Sequence, residues 1–146
     1  MRRRRGFTLV EIFVGVAIMS VVMLMGIPRL ATAARHGRVN QAATVVAGDL
    51  ELAFSLAARQ RRPVRISYAS GASDFAVSDR SSGTVFRRRA LKSESEWQLS
   101  FVSFSQPAVE VFPNGSASGP LVITLTSGGY SRQVTMSRVG VVTITP

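Results

Sequence analysis

The sequence predicts an α+β fold in which one long N-terminal helix packs on an antiparallel β-sheet domain. The first 27 residues end in an apolar segment of membrane length, and apolar residues at helical spacing continue beyond it. After Pro63 the pattern changes to short β-like runs that are separated by turn residues. With 146 residues, the chain has room for one modest domain beside the helix.

The apolar segment runs from Phe7 to Ile27. It contains 21 residues, and Glu11 is the only charged residue among them. As a helix rising about 1.5 Å per residue, it spans roughly 30 Å, which is the thickness of a bilayer core. The four arginines Arg2–Arg5 precede it and predict that the N-terminus stays cytoplasmic. An acid inside a bilayer is costly and is usually functional, so Glu11 is a candidate functional residue.

Two simpler interpretations of this segment explain less of it. A cleaved secretory signal has a shorter apolar region, of roughly 7–15 residues, than this segment. A plain membrane anchor explains the apolar residues and the arginines. It does not explain an acid near the start of the segment, or Gly6 between the basic and apolar parts.

An amphipathic pattern predicts that the helix continues beyond the membrane segment, from about residue 7 to residue 62. Pro63 ends it, because proline lacks the N–H of a helical hydrogen bond and disfavours helix at the preceding residue. Pro28 is predicted to kink it. The apolar residues at spacings of three and four are Val39, Ala43, Val46, Leu50, Ala53 and Ala57.

The second half of the chain is predicted to consist of β-strands. Residues 97–104 alternate, which places Trp97, Leu99 and Phe101 on one face. Ser127-Gly128-Gly129 favours a hairpin, since glycine tolerates positive φ. The predicted strands are 64–69, 75–78, 84–88, 97–104, 109–112, 121–126, 130–137 and 141–145.

Signs of enzymatic chemistry are almost absent from the sequence. There is no cysteine and one histidine, His36, which we interpret as a surface or headgroup-facing side chain. Asp74 and Asp79, or Glu94 and Glu96, could form carboxylate pairs, but loop and surface charges are the favoured interpretation. We therefore expect no enzyme activity, no cofactor and no metal site.

The motif Arg5-Gly6-Phe7-Thr8-Leu9-Val10-Glu11 resembles the processing site of type IV pilins and type II secretion pseudopilins. This resemblance implies that prepilin peptidase cuts between Gly6 and Phe7 and that Phe7 is then N-methylated. It also implies that Glu11 neutralises the N-terminal amine of a neighbouring subunit, which would offset the cost of a buried charge. Pro28 stands where many members of the family have a helix-bending proline.

A second resemblance covers most of the rest of the chain. Residues 56–64 are similar to the helix end and first strand of the GspH/FimT branch of pseudopilins and minor pilins. The C-terminal pattern of that branch is similar to residues 111–115, Gly119, 121–126 and 134–140. The resemblance implies a pilin-like fold, and another minor pilin branch with a different sheet is the alternative.

The resemblance implies four regions. Residues 1–6 would be the leader, 7–28 the transmembrane and filament-core helix, 29–62 its amphipathic continuation, and 63–146 a periplasmic β-sheet domain. The protein would lie in the bacterial inner membrane with a single pass before it enters a filament. Its partners would be other pilin or pseudopilin subunits, prepilin peptidase, the inner-membrane assembly platform and membrane lipid.

The implied function is that of a minor subunit of a type II secretion pseudopilus or a type IV pilus, in initiation or at the tip. A lone anchored domain without a role in assembly is one alternative. The other is a DNA-binding minor pilin for natural transformation, which we do not favour, because Gly140 lacks the following arginines of the family's DNA-binding motif. The candidate contacts to DNA are Arg87, Arg88, Arg89, Arg132 and Arg138.

Overall fold

The computed structural model describes residues 7–69, 74–92 and 95–146. The predictions that concern Gly6, the rest of the leader and Glu94 lie outside the described residues. The predicted cleavage between Gly6 and Phe7 therefore stays a prediction.

The chain divides into two compact units, and the boundary in the sequence lies between Ala34 and Arg35. Helix α1, Leu9–Gln60, contributes to both of them. The predicted single helix is thus confirmed, with ends two residues inside the expected ones. The helix continues through Pro28 without interruption.

The first unit exposes its apolar side chains. The N-terminal part of α1 is long and apolar enough to cross a membrane, by its length and composition. A helix that is apolar on all sides is stable only where lipid or other protein surrounds it. Between 53 % and 81 % of the surface is exposed for Phe7, Leu9, Val10, Ile12, Phe13, Val14, Val16, Ile18, Met19, Val21, Val22, Met23, Leu24, Ile27 and Leu30.

In the second unit, α1 buries one stripe of side chains against the β-strands. The six predicted apolar positions from Val39 to Ala57 are all fully buried, which confirms the amphipathic pattern. The helix ends at Gln60, Arg61 adopts a left-handed conformation with φ 53°, and β1 begins one residue after Pro63.

In the described parts of the chain, eight strands form two antiparallel four-stranded sheets. The first sheet has the order β3-β2-β1-β5 and the second has the order β4-β6-β7-β8. Helix α1 and both sheets contribute to one hydrophobic core. The strands are β1 Val64–Ala69, β2 Asp74–Asp79, β3 Val85–Ala90, β4 Phe101–Phe104, β5 Ala108–Val111, β6 Leu121–Ser127, β7 Tyr130–Met136 and β8 Val142–Thr145.

One predicted strand was wrong in extent. Residues 97–104 do not form a continuous strand, since β4 begins only at Phe101. Gln98 has a φ of 48°, a left-handed conformation that interrupts the alternation of side chains. Trp97 and Leu99 are buried as expected, but Phe101 is 56 % exposed and does not share their face.

Candidate functional site

The first candidate site is the start of α1, where Thr8 and Glu11 form a reciprocal pair. The backbone N–H of Glu11 donates to Thr8 Oγ1 at 3.3 Å, and the backbone N–H of Thr8 donates to Glu11 Oε2 at 3.5 Å. This is a capping box, in which two otherwise unpaired N–H groups of the first turn are satisfied. The Thr-x-x-Glu spacing of Thr8 and Glu11 is the sequence signal that predicts such a box.

The second candidate site is the run of three arginines on β3. The Arg89 guanidinium donates two hydrogen bonds to Asp49 on α1, through Nε to Oδ2 and through Nη2 to Oδ1 at 3.2 Å. Arg87 Nε lies 3.6 Å from the same carboxylate, and Arg88 Nε lies 3.9 Å from Asp74 Oδ2. All three arginines therefore face carboxylates.

The carboxylate of Asp49 is the centre of this cluster, because its side chain is only 5 % exposed. Its hydrogen bond from the Arg89 guanidinium raises the pKa of that arginine. The Arg89 guanidinium carbon also lies 6.0 Å from the centre of the Trp97 ring, at the outer limit of a cation–π contact. The cluster thus joins α1, the edge strand of the first sheet and the segment before β4.

Arg132 lies in the second sheet, among aromatic and amide groups. Its Nε donates to Asn40 Oδ1 at 2.9 Å, and its guanidinium carbon lies 5.3 Å from the centre of the Tyr130 ring. The Tyr130 hydroxyl donates to the same Asn40 oxygen at 3.2 Å. The ring of His36 also stacks on Tyr130, with a centroid distance of 4.0 Å.

Arg138 follows β7 in an exposed turn, and its backbone carbonyl accepts the N–H of Ala117 at 2.8 Å. Gly140 ends this turn with a φ of 83°, and a Cβ at this position would lie 3.2 Å from the Gly115 carbonyl oxygen. The glycine is therefore required by the turn itself. Three of the five candidate contacts to DNA thus lie on β3 beside carboxylates, Arg132 lies on β7, and Arg138 lies in the turn after β7.

Comparisons with known proteins match both halves of the chain. Residues 42–140 match the family model of type II transport protein GspH, and residues 1–27 match that of the prokaryotic N-terminal methylation motif. A comparison with curated proteins finds no significant match.

Two solved structures share the fold. Both are crystal structures of the type IV minor pilin FimU from Pseudomonas aeruginosa, in space groups P65 and P21. The first is 18 % identical, with a TM-score of 0.59, and the match covers 73 % of this chain and 92 % of that chain. The second is 16 % identical, with a TM-score of 0.60, and the match covers 75 % of this chain and 90 % of that chain. They confirm the pilin-like fold.

Proposed function

Because this chain belongs to the family of type II transport protein GspH and carries the prokaryotic N-terminal methylation motif, we propose that it is a minor subunit that enters a pseudopilus or pilus at initiation or at the tip. The observation that carries the proposal is the first unit of the structure. It combines an apolar helix exposed on all sides with a single acid in its first turn.

Processing would prepare this helix for assembly. Prepilin peptidase would cut between Gly6 and Phe7 on the cytoplasmic side and remove the four arginines with the leader. The chain would keep 14 basic and 8 acidic residues. The helix would then remain in the inner membrane, with the β-sheet domain in the periplasm, until the assembly platform draws it into the filament. The subunit would act by packing, without a catalytic step of its own.

Glu11 would select the register in which neighbouring helices pack. In the isolated chain its carboxylate accepts one long hydrogen bond from Thr8, at 3.5 Å. In a filament core the carboxylate would be surrounded by apolar side chains, where an unpaired charge costs several kcal/mol. The amine of Phe7 on a neighbouring subunit carries the opposite charge. Pairing the two groups would offset this cost only in the register that brings them together.

The test compares Glu11→Gln with Glu51→Gln, a matched change at an exposed position of the same helix. Both variants should be cut and methylated normally, because the cleavage site is intact. Glu11→Gln should reduce incorporation into sheared filaments by on the order of tenfold or more, since the charge pair is lost. Equal incorporation of both variants would contradict the proposed role of Glu11. A chain that is missing from sheared filaments even without substitution would support a lone anchored domain.

We do not extend the proposal to DNA uptake. Arg87 and Arg89 lie beside Asp49, and Arg88 lies beside Asp74, so each would have to exchange a carboxylate for a phosphate. A gel-shift assay at rising salt tests this alternative, because each phosphate contact adds salt-dependent affinity. Micromolar binding that is abolished by Arg→Ala changes at residues 87–89, or at 132 and 138, would favour the DNA receptor.

A further inference from the structure

A cluster of basic and aromatic side chains lies where the second unit begins. We call it the hairpin patch, and it consists of Arg35, His36 and Arg38 on α1 together with Tyr130 and Arg132 on β7. Arg35 is exposed, and the other four side chains are half-buried. The patch therefore presents cationic and aromatic groups on the surface of a folded domain.

Close contacts fix the geometry of the hairpin patch. The ring of His36 stacks on Tyr130 at an interplanar angle of 19°. Arg38 Nη1 donates to Gln98 Oε1 at 2.7 Å. Gly128, at the tip of the β6–β7 hairpin, has a φ of 58°, and a Cβ there would lie 2.9 Å from Arg35 Cδ. Helix and hairpin thus hold the cationic side chains in place before any ligand binds.

The hairpin patch carries positive charge without acidic partners. No acid occurs in the sequence between Glu11 and Asp49, and none follows Glu110. Within the described parts of the chain, none of the ion pairs involves an arginine of the patch. The patch therefore offers its positive charge to a ligand outside the chain.

The position of the patch in the sequence restricts what this ligand is. Arg35 follows Ile27, the end of the apolar segment, by eight residues. Eight residues reach about 12 Å as a helix and about 28 Å when fully extended. The headgroup layer is roughly 5–8 Å thick, and the Debye length at physiological salt is about 8 Å. With the apolar segment in a bilayer, Arg35 lies within or close to the field of the lipid headgroups.

We propose that the hairpin patch binds the phosphate headgroups of anionic phospholipid while the subunit is in the membrane, before it enters the filament. Arginine pairs with phosphate oxygens through its planar guanidinium, and tyrosine favours the interface between lipid and water. Nucleic acid offers the same phosphate chemistry, but only the bilayer is held beside the patch by the chain itself. The inference rests on the proposed insertion of residues 7–27 in a membrane.

The test uses the full mature chain in vesicles and takes advantage of the absence of cysteine. A fluorophore on Ser131→Cys, next to Arg132, reports on the patch, and one on Gln60→Cys, at the far end of α1, is the control. Lipids with a spin label on the headgroup quench a nearby fluorophore. The vesicles contain phosphatidylcholine alone or with about 30 % phosphatidylglycerol, which supplies the negative surface potential.

Phosphatidylglycerol should increase quenching at residue 131 more than at residue 60, and this difference should fall at about 0.5 M salt. Each arginine should change the ratio of docked to undocked domain about fivefold. Changing Arg35, Arg38 and Arg132 together to Gln should therefore abolish the difference. The matched triple change of Arg59, Arg61 and Arg62 to Gln removes the same charge at the other end of the helix and should leave it intact.

Two results would overturn the inference. One is equal quenching at residue 131 in both kinds of vesicle, which is measured on the labelled Ser131→Cys chain with the patch arginines unchanged. The other is a fluorescent oligonucleotide that binds through the patch arginines while phosphatidylglycerol leaves the quenching unchanged. This result would make the patch a nucleic-acid surface. Flotation of the unlabelled chain with vesicles separates this inference from the proposed function. A chain that does not float has no inserted helix, whereas a chain that floats without quenching contradicts the lipid contact alone.

Discussion

The arginines of β3 and the arginines of the hairpin patch have opposite surroundings within one domain. Arg87 and Arg89 share the carboxylate of Asp49, whereas Arg132 contacts an amide and an aromatic ring. The difference follows the distribution of acids in the sequence. Strands of the first sheet carry Asp74, Asp79 and Glu110, and no strand of the second sheet carries an acid.

This difference separates two uses of the same side chain. An arginine beside a buried acid is needed for the fold, because the acid cannot be left without a partner. An arginine without an acidic partner contributes less to the fold, and its guanidinium is free of competing carboxylates when it binds an external ligand. The net charge of the domain therefore says little about binding until its arginines are sorted by their partners.

The largest expected effect comes from removing the partner of the buried acid. Arg89→Met should lower the free energy of unfolding by about 3 kcal/mol, because it removes both hydrogen bonds of Asp49 from Arg89 and leaves Arg87 at 3.6 Å. The measurement is urea unfolding of the mature chain in detergent, monitored by the fluorescence of the single tryptophan, Trp97.

Arg88→Met is the matched control for this prediction. Arg88 is 65 % exposed and lies 3.9 Å from Asp74, so its loss should cost less than about 1 kcal/mol. Equal losses for the two variants would show that burial of Asp49 does not distinguish them, and the contrast between the two groups of arginines would lose its basis.

The hairpin patch should depend on stacking. Tyr130→Leu removes the ring that contacts both His36 and Arg132 and should lower the free energy of unfolding by about 1–2 kcal/mol. Tyr130→Phe keeps the ring, loses only the hydrogen bond to Asn40, and should cost about half as much. Urea unfolding at low and high salt measures both losses. A loss that disappears in salt would indicate that ion pairs hold the patch.

Local patterns predicted most of this fold. The helix stripe from Val39 to Ala57, the start of β1 after Pro63 and the β6–β7 hairpin all follow from spacing and turn residues, and the structure confirms them. The predicted strand from Trp97 to Phe101 was wrong, because the left-handed conformation of Gln98 cannot be recognised from the alternation of side chains.

The sequence indicates one residue of the candidate sites but not the contacts of the arginines. The acid of the N-terminal motif stands out in the sequence because an isolated charge interrupts an apolar run, and its role in assembly stays a prediction. The partners of Arg89 and Arg132 lie 40 and 92 residues away, so they depend on which strands and which turns of α1 become neighbours. The different surroundings of these two arginines are therefore defined only by the tertiary structure.

A smaller effect is expected at Glu110, where the ion pairs are more exposed. Its Oε1 lies 3.3 Å from Arg65 Nη2 and 3.1 Å from Arg80 Nε, and both arginines are about half exposed. Glu110→Gln should lower the free energy of unfolding by less than about 1 kcal/mol, and salt should reduce the loss further, since exposed pairs are screened. A loss as large as that of Arg89→Met would remove the distinction between exposed and buried pairs.

The smallest effect concerns Asp79, an acid of the first sheet that is stabilised by neutral donors. Its Oδ1 accepts the hydroxyl of Ser81 at 2.6 Å and the backbone N–H groups of Ser81 and Ser82, each at 2.7 Å. The hydroxyl of Ser81 contributes most to lowering the pKa of Asp79 to about 2. The folded state thus favours the ionised carboxylate. Its contribution to stability is complete above the unfolded pKa of about 4 and is lost as the pH falls through about 2.

Asp79→Asn should therefore flatten the dependence of the urea midpoint on pH between about 4 and about 2, because the substituted side chain no longer binds a proton there. Ser81→Ala should flatten it partly, since it removes the strongest donor. Ser82→Ala should change it little, because the backbone N–H of Ser82 remains. An unchanged slope in Asp79→Asn would show that protonation of Asp79 is not coupled to unfolding.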